Sequence, residues 1–316
     1  MNKTLTRLLS ICLFFVGISV LSIANAKPIK NGFDLADISI PANKVFIGGP
    51  PRDGIPSIDK PKFLAAGEAD YLKDNDRVLG IYHFGEARAY PIRILDWHEI
   101  VNDKIQGRSV AVTYCPLCGS GIVYNAEIDG KSYEFGVSGL LYNSDVLLFD
   151  RETETLWSQI LSKAVSGKLK DTELEIIQSS HTSWKTWKQK YPDSKVLSTE
   201  TGFSRDYNRS PYGNYDNEVM TFFPIEFKSK RYHPKERVLG ITLNGNQKVY
   251  PFAEISKNSD VIFTDEFAGE VLTVEYDAEN RDGFVKNSKG EIVPSINTFW
   301  FAWYGFHPKG EIYTFK

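Results

Sequence analysis

The most regular pattern of apolar and polar positions in this chain occurs twice. Residues 77–91 read RVLGIYHFGEARAYP and residues 237–251 read RVLGITLNGNQKVYP, with eight identities in fifteen positions at a constant offset of 160. In each copy apolar and β-branched residues flank a glycine, Gly85 or Gly245, which predicts a strand, a tight turn and a second strand ending in Tyr-Pro. A weaker likeness follows, in which residues 107–114 lie over residues 269–276, each with the pattern of a half-buried strand. The positions equivalent to Cys115 and Cys118 are then Asp277 and Asn280. These patterns predict a duplicated β unit whose first copy alone carries the cysteines.

Between the copies, strands are expected at 131–137, at 145–150 and, after a turn at 151–154, at 155–160. One helix is expected. Thr182 or Ser183 can cap it, Trp184, Trp187 and Tyr191 fall at i, i+3 and i+7 on a buried face, and Pro192 closes it. Residues 201–224, TGFSRDYNRSPYGNYDNEVMTFFP, follow neither period and read as a long loop or lid. The fold class expected is α+β, predominantly antiparallel β, built from two related β units with a few short helices. The units are placed at 75–225 and 226–316, with an N-terminal extension at 27–74.

The start of the chain reads as a secretory signal: Lys3 and Arg7, an apolar run from Leu8 to Ile23, then Ala24-Asn25-Ala26, with cleavage expected after Ala26. The mature protein is then periplasmic or secreted, with no membrane segment left after cleavage. The 316-residue chain is 42% hydrophobic and 24% charged, with a net charge of −3, and no long Lys/Arg run is present to gather phosphates. Nucleic acid is accordingly set aside as a partner.

Removing the signal leaves Cys115 and Cys118 as the two cysteines, spaced Cys-Pro-Leu-Cys. In a thioredoxin-like site a helix N-terminus lowers the first thiol's pKa. Here strands are expected on both sides of the pair, so that helix is missing. Cys-Pro-Leu-Cys-Gly between strands instead resembles a metal knuckle, in which a turn aims both sulfurs at one ion. Such a site must recruit further ligands. Of the five histidines, His98 is the preferred one, and thiolates with imidazole suit zinc or copper. Competing readings are a redox-active disulfide and an inert structural one, since exported compartments oxidise thiols. A second polar constellation, Ser138, Asn143, Ser144, Asp145, Asp150, Arg151, Thr153, Trp157, Ser158 and Gln159, falls at strand ends. No nucleophile elbow, phosphate loop or zinc-protease helix is present in the sequence.

The segments TYCPLCGSGIVY, FGVSGLLYNSDVLLFDRETETLWSQI, WKTWKQKYPDSKVLS and RDYNRSPYGNY, in that order, resemble the bacterial and archaeal family known as domain of unknown function 3179. The resemblance covers about residues 75–315 and implies membership without implying an activity. Residues matching its recurrent pattern are His98, Glu99, Cys115, Cys118, Ser138, Gly139, Asp150, Arg151, Trp157 and Gln159. They are carried over as site candidates without roles, and the recurrence of His98-Glu99 with the cysteines favours metal.

The function expected is therefore an exported redox or metal-handling protein using one CxxC site, whose enzymatic form would be an oxidoreductase. Its partners would be a small molecule, a metal ion or a redox partner protein. The alternatives are a non-catalytic ligand- or glycan-binding module using the aromatic loop, and a structural domain with a stabilising disulfide.

Overall fold

The computed structural model describes residues 28–315, and the expected signal peptide lies outside them. The two fifteen-residue copies form hairpins of identical design. Arg77–His83 pairs with Glu86–Pro91, and Arg237–Leu243 with Asn246–Pro251, each antiparallel. Their turns, Phe84-Gly85 and Asn244-Gly245, have positive φ at both residues, as a two-residue hairpin turn matching strand twist requires.

Each hairpin is the middle of a sheet. The first sheet runs Ser180–Ser183, Arg77–His83, Glu86–Pro91, Lys195–Leu197 and Phe63–Ala65. A second contains Ile176–Ile177, Ser120–Asn125, Arg108–Cys115 and Ile100–Ile105. A third contains Lys163–Ser166, Leu156–Ser158, Asp145–Asp150, Phe135–Tyr142 and Val45–Ile47. The second hairpin anchors a fourth sheet with Ser295–Phe299 and Glu311–Ile312, and a fifth runs from Ile262–Phe267 through Glu270–Asp277 and Asp282–Lys286 to Ile292–Val293. Pairing is antiparallel apart from Lys195–Leu197 against Glu86–Pro91 and Glu311–Ile312 against Asn246–Pro251. No helix among the described residues is long and apolar enough to cross a membrane.

The chain is thus β-rich with few helices, but the expectation of two related β units is corrected: the sheets form a five-fold β-propeller. The sequence likeness is one of hairpins within separate sheets. The third sheet has no counterpart in the second half, and it takes an edge strand, Val45–Ile47, from the N-terminal extension. A local repeat reports local strand register, and it cannot report how many sheets close the ring.

The Trp helix forms at Trp184–Lys190, with Ser183 Oγ accepting from the Thr186 amide at 3.3 Å. A second helix, Trp300–Phe306, follows the corresponding strand of the fourth sheet. Both exist to place one indole on a bare backbone. A Cβ on Gly80 would stand 2.3 Å from the Trp187 ring, and one on Gly240 would stand 2.1 Å from the Trp303 ring. We predict that Gly80→Ala and Gly240→Ala each cost about 1–3 kcal/mol, because the added methyl must displace a buried indole from the strand it packs on. Urea denaturation checks this, and a midpoint within experimental error of wild type would contradict the packing.

Candidate functional site

Strands Arg108–Cys115 and Ser120–Asn125 are joined by the cysteine turn, closed by the Cys118 amide donating to the Cys115 carbonyl at 3.1 Å. No helix starts there. Gly119 has φ +58°, and a Cβ on it would lie 2.7 Å from the Phe299 ring, so the position demands glycine on two counts. The fourth sheet clamps the turn from outside: Phe299 N and Thr298 Oγ1 donate to the Cys118 carbonyl at 2.8 and 2.9 Å, and Arg237 donates to the Gly119 carbonyl at 3.2 Å. Cys115 and Cys118 are free thiols, 2% and 0% exposed.

The third sheet brings a carboxylate to them. Its hairpin Phe135–Tyr142/Asp145–Asp150 turns at Asn143-Ser144, both in the left-handed region. Asn143 holds the turn by donating to the Gly305 carbonyl at 3.0 Å and accepting from the Glu226 amide at 2.8 Å. The turn presents the Ser144 carbonyl to Cys118 Sγ at 3.4 Å and to Cys115 Sγ at 3.9 Å. Asp145 follows directly. Its carboxylate and the two sulfurs form one group whose ligand atoms all lie within 4.8 Å of one another, entirely buried.

Asp145 Oδ2 accepts from the Ile160 amide at 3.0 Å, whereas Oδ1 has no hydrogen-bond partner. Burial pushes this carboxyl up to about 7, opposed by the Ile160 and Val146 amides and by the thiols. Burial also pushes both thiols up, Cys118 the further. Burial thus disfavours the charged form of all three groups.

Around the cluster stand two more residues. The Tyr215 phenol lies in electrostatic reach of both sulfurs and close to Ser144 and the Phe222 backbone, but neither the Tyr215 hydroxyl nor Ser144 Oγ completes a hydrogen bond of good geometry. Lys235 Nζ sits 3.6 Å from the centre of the Tyr215 ring and donates to the Met220 carbonyl at 2.9 Å. Burial lowers its pKa to about 8 against the opposing pull of Asp216 and Cys118. A cavity of about 480 Å³ is lined by Leu117, Val146 and Glu99, though by neither cysteine nor Asp145. Arg205, Tyr212, Phe222 and Phe223, all from the aperiodic 201–224 segment, line it too. Tyr212 donates to Glu99 at 3.1 Å, and burial raises Glu99 to about 8.

The residues singled out from sequence separate into two sets. Cys115, Cys118 and Gln159 come together: Gln159 accepts from Ser120 Oγ at 2.6 Å and donates to Thr113 Oγ1 at 2.9 Å, tying the knuckle strands to the third sheet. Glu99 reaches the cavity wall. His98 does not join the cysteines, because its Nδ1 faces the Pro56 carbonyl at 2.8 Å and its Nε2 the Tyr207 hydroxyl at 2.7 Å. Ser138 and Gly139 form a bulge, with Ser138 Oγ donating to the Leu147 carbonyl and accepting from the Leu140 amide. Asp150 binds Thr153 and the Trp157 indole, while Arg151 pairs with Asp53 and Ser57 and so straps the N-terminal extension to the third sheet. Asp145, Tyr215 and Lys235 were not assigned to the site by sequence reasoning. The available signal for Asp145 was an acid opening an otherwise apolar strand, DVLLF.

At Asp277 and Asn280, which stand where the second copy lacks cysteines, the pair bonds to itself, with the Asn280 amide and side chain donating to the Asp277 carboxylate at 3.0 and 2.6 Å. The molecule is thus a β-propeller protein with a single buried thiol–carboxylate centre among its described residues. The chain belongs to the family described as protein of unknown function DUF3179, which matches residues 52–290. No curated protein and no solved structure matches it significantly.

Proposed function

We propose that this protein is an exported metalloprotein in which Cys115, Cys118 and Asp145 hold one zinc ion. The observation that carries the reading is the convergence of three ligand-type side chains within 4.8 Å of one another, with Asp145 Oδ1 unpartnered in the interior. A buried acceptor without a donor is costly, and an ion removes that cost. Two thiolates with one carboxylate oxygen suit zinc better than copper(I), which prefers sulfur throughout. Zinc with three anionic ligands leaves one net negative charge, which Lys235 offsets from beside Tyr215.

Metal would also supply the deprotonation of the thiols that the fold does not. Burial raises both thiols, and no helix N-terminus lies behind them, so the pair lacks what makes a thioredoxin-type thiolate. A coordinated thiol loses its proton to the ion. Export is supported by the N-terminal charged, apolar and small-residue pattern.

The test is elemental analysis with thiol counting on protein purified from the exported fraction without chelator or reductant. About one zinc per chain is expected, with both thiols unreactive until it is removed. No metal together with no free thiol would overturn the zinc reading and install a disulfide in its place. Its reduction potential would then separate redox work from structural support.

A further inference from the structure

Among the described residues, seven buried side-chain nitrogen or oxygen atoms lack a hydrogen-bond partner. Three of them, Asp145 Oδ1, Ser144 Oγ and the Tyr215 hydroxyl, belong to residues at the cysteine cluster. Native interiors satisfy nearly all such groups, so three together call for a common partner. Asp145 Oδ1 is accounted for by the ion. The two hydroxyls remain.

No fourth His, Cys, Asp or Glu among the described residues joins the group of Cys115, Cys118 and Asp145. Structural zinc sites are closed by four protein ligands, whereas sites that bind exogenous molecules keep three and leave the fourth position to water or substrate. We propose that the fourth position here is an open one, taken by a small oxygen-donor ligand, water at rest, which Ser144 Oγ and the Tyr215 hydroxyl hydrogen-bond. This deepens the zinc reading and rests on it.

The placement of both hydroxyls is built in. Ser144 is held by the left-handed Asn143-Ser144 turn, whose carbonyl lies against Cys118 Sγ. The Tyr215 ring is fixed beneath the Lys235 ammonium, and its hydroxyl feels both sulfurs. A hydroxyl donates one hydrogen bond and accepts others, so the pair can serve either a bound water or an anion that displaces it. The class of ligand this fits is a small oxygen donor, water or an anion. Ser144 and Tyr215 are positioning residues for it.

The experiment replaces zinc by cobalt(II) in the full mature chain and titrates azide as a small anionic probe. Sulfur-to-cobalt charge transfer reports the metal, and the visible d–d bands report its fourth ligand. Saturable azide-dependent change in the d–d bands is expected. Tyr215→Phe and Ser144→Ala should each weaken azide about tenfold or more, as loss of a hydrogen bond to a charged group does, with cobalt content and charge transfer unchanged. Bands indifferent to azide in a cobalt-loaded protein, or azide affinity unaltered in both variants, would overturn the open position while leaving the metal site standing. Absence of sulfur-to-cobalt charge transfer would instead bring down the zinc reading, and the open position with it. Ser144→Ala guards against a Tyr215→Phe protein that fails to fold, because it removes one small hydroxyl without touching an aromatic contact.

Discussion

Cys115→Ser is expected to take the zinc content from about one ion per chain to essentially none, because two remaining ligands cannot hold the ion against dilution. Asp145→Asn should do nearly the same, since a neutral amide neither balances the charge nor competes with a carboxylate for zinc. The strands carrying these residues keep their pairing and their clamp from Phe299, Thr298 and Arg237, so the folded state survives both changes. Thermal unfolding supplies a control. At a hundredfold excess over Kd a ligand contributes about 2.7 kcal/mol to stability, so chelator should lower the wild-type midpoint by that equivalent and leave Cys115→Ser unmoved. Stoichiometric zinc in Cys115→Ser, or an equal response of both proteins to chelator, would exclude the site.

The second large effect is one of stability without any effect on metal. Trp157 is fully buried on the edge of the Phe135 ring, and its indole donates to Asp150 at 2.9 Å. Trp157→Ala removes that packing and leaves a cavity at a cost of about 3–5 kcal/mol. Trp157→Phe keeps much of the volume and loses the hydrogen bond to the Asp150 carboxylate, costing about 1–3 kcal/mol. Asp150 retains the Thr153 amide and hydroxyl in both variants. Urea denaturation gives the loss, and metal analysis on the folded fraction should still find the ion. Loss of zinc from stable, folded Trp157→Phe would show that this network belongs to the site.

That division was only partly legible in the sequence. The knuckle could be read because both cysteines come from one turn, three residues apart, with the glycine that the turn geometry needs immediately after. The adjacency of Asp145 could not be read, because it comes from a different sheet and joins the cysteines only where the Asn143-Ser144 turn sets the Ser144 carbonyl against both sulfurs. His98 stays apart from them for a tertiary reason: it ends the short helix Ile92–His98, where the distant Pro56 and Tyr207 take both ring nitrogens. Asp150, Arg151 and Trp157 look like chemistry in a sequence because charged and aromatic residues at a strand end are common to active sites and to turns. Only their partners distinguish the two.

The sequence by itself determined the elements whose forces act within a few residues: the paired hairpins with their glycine turns, the capped tryptophan helix, the cysteine knuckle and the aperiodic tyrosine-rich segment. Tertiary packing settled that five larger sheets close the ring, that Asp145 joins the cysteines in one buried centre, and that Tyr215 and Lys235 lie within electrostatic reach of it. Strand periodicity and turn chemistry are local and leave a trace in neighbouring residues. Sheet closure and the meeting of distant ligands depend on which buried surfaces pack together, and that is a property of the whole chain.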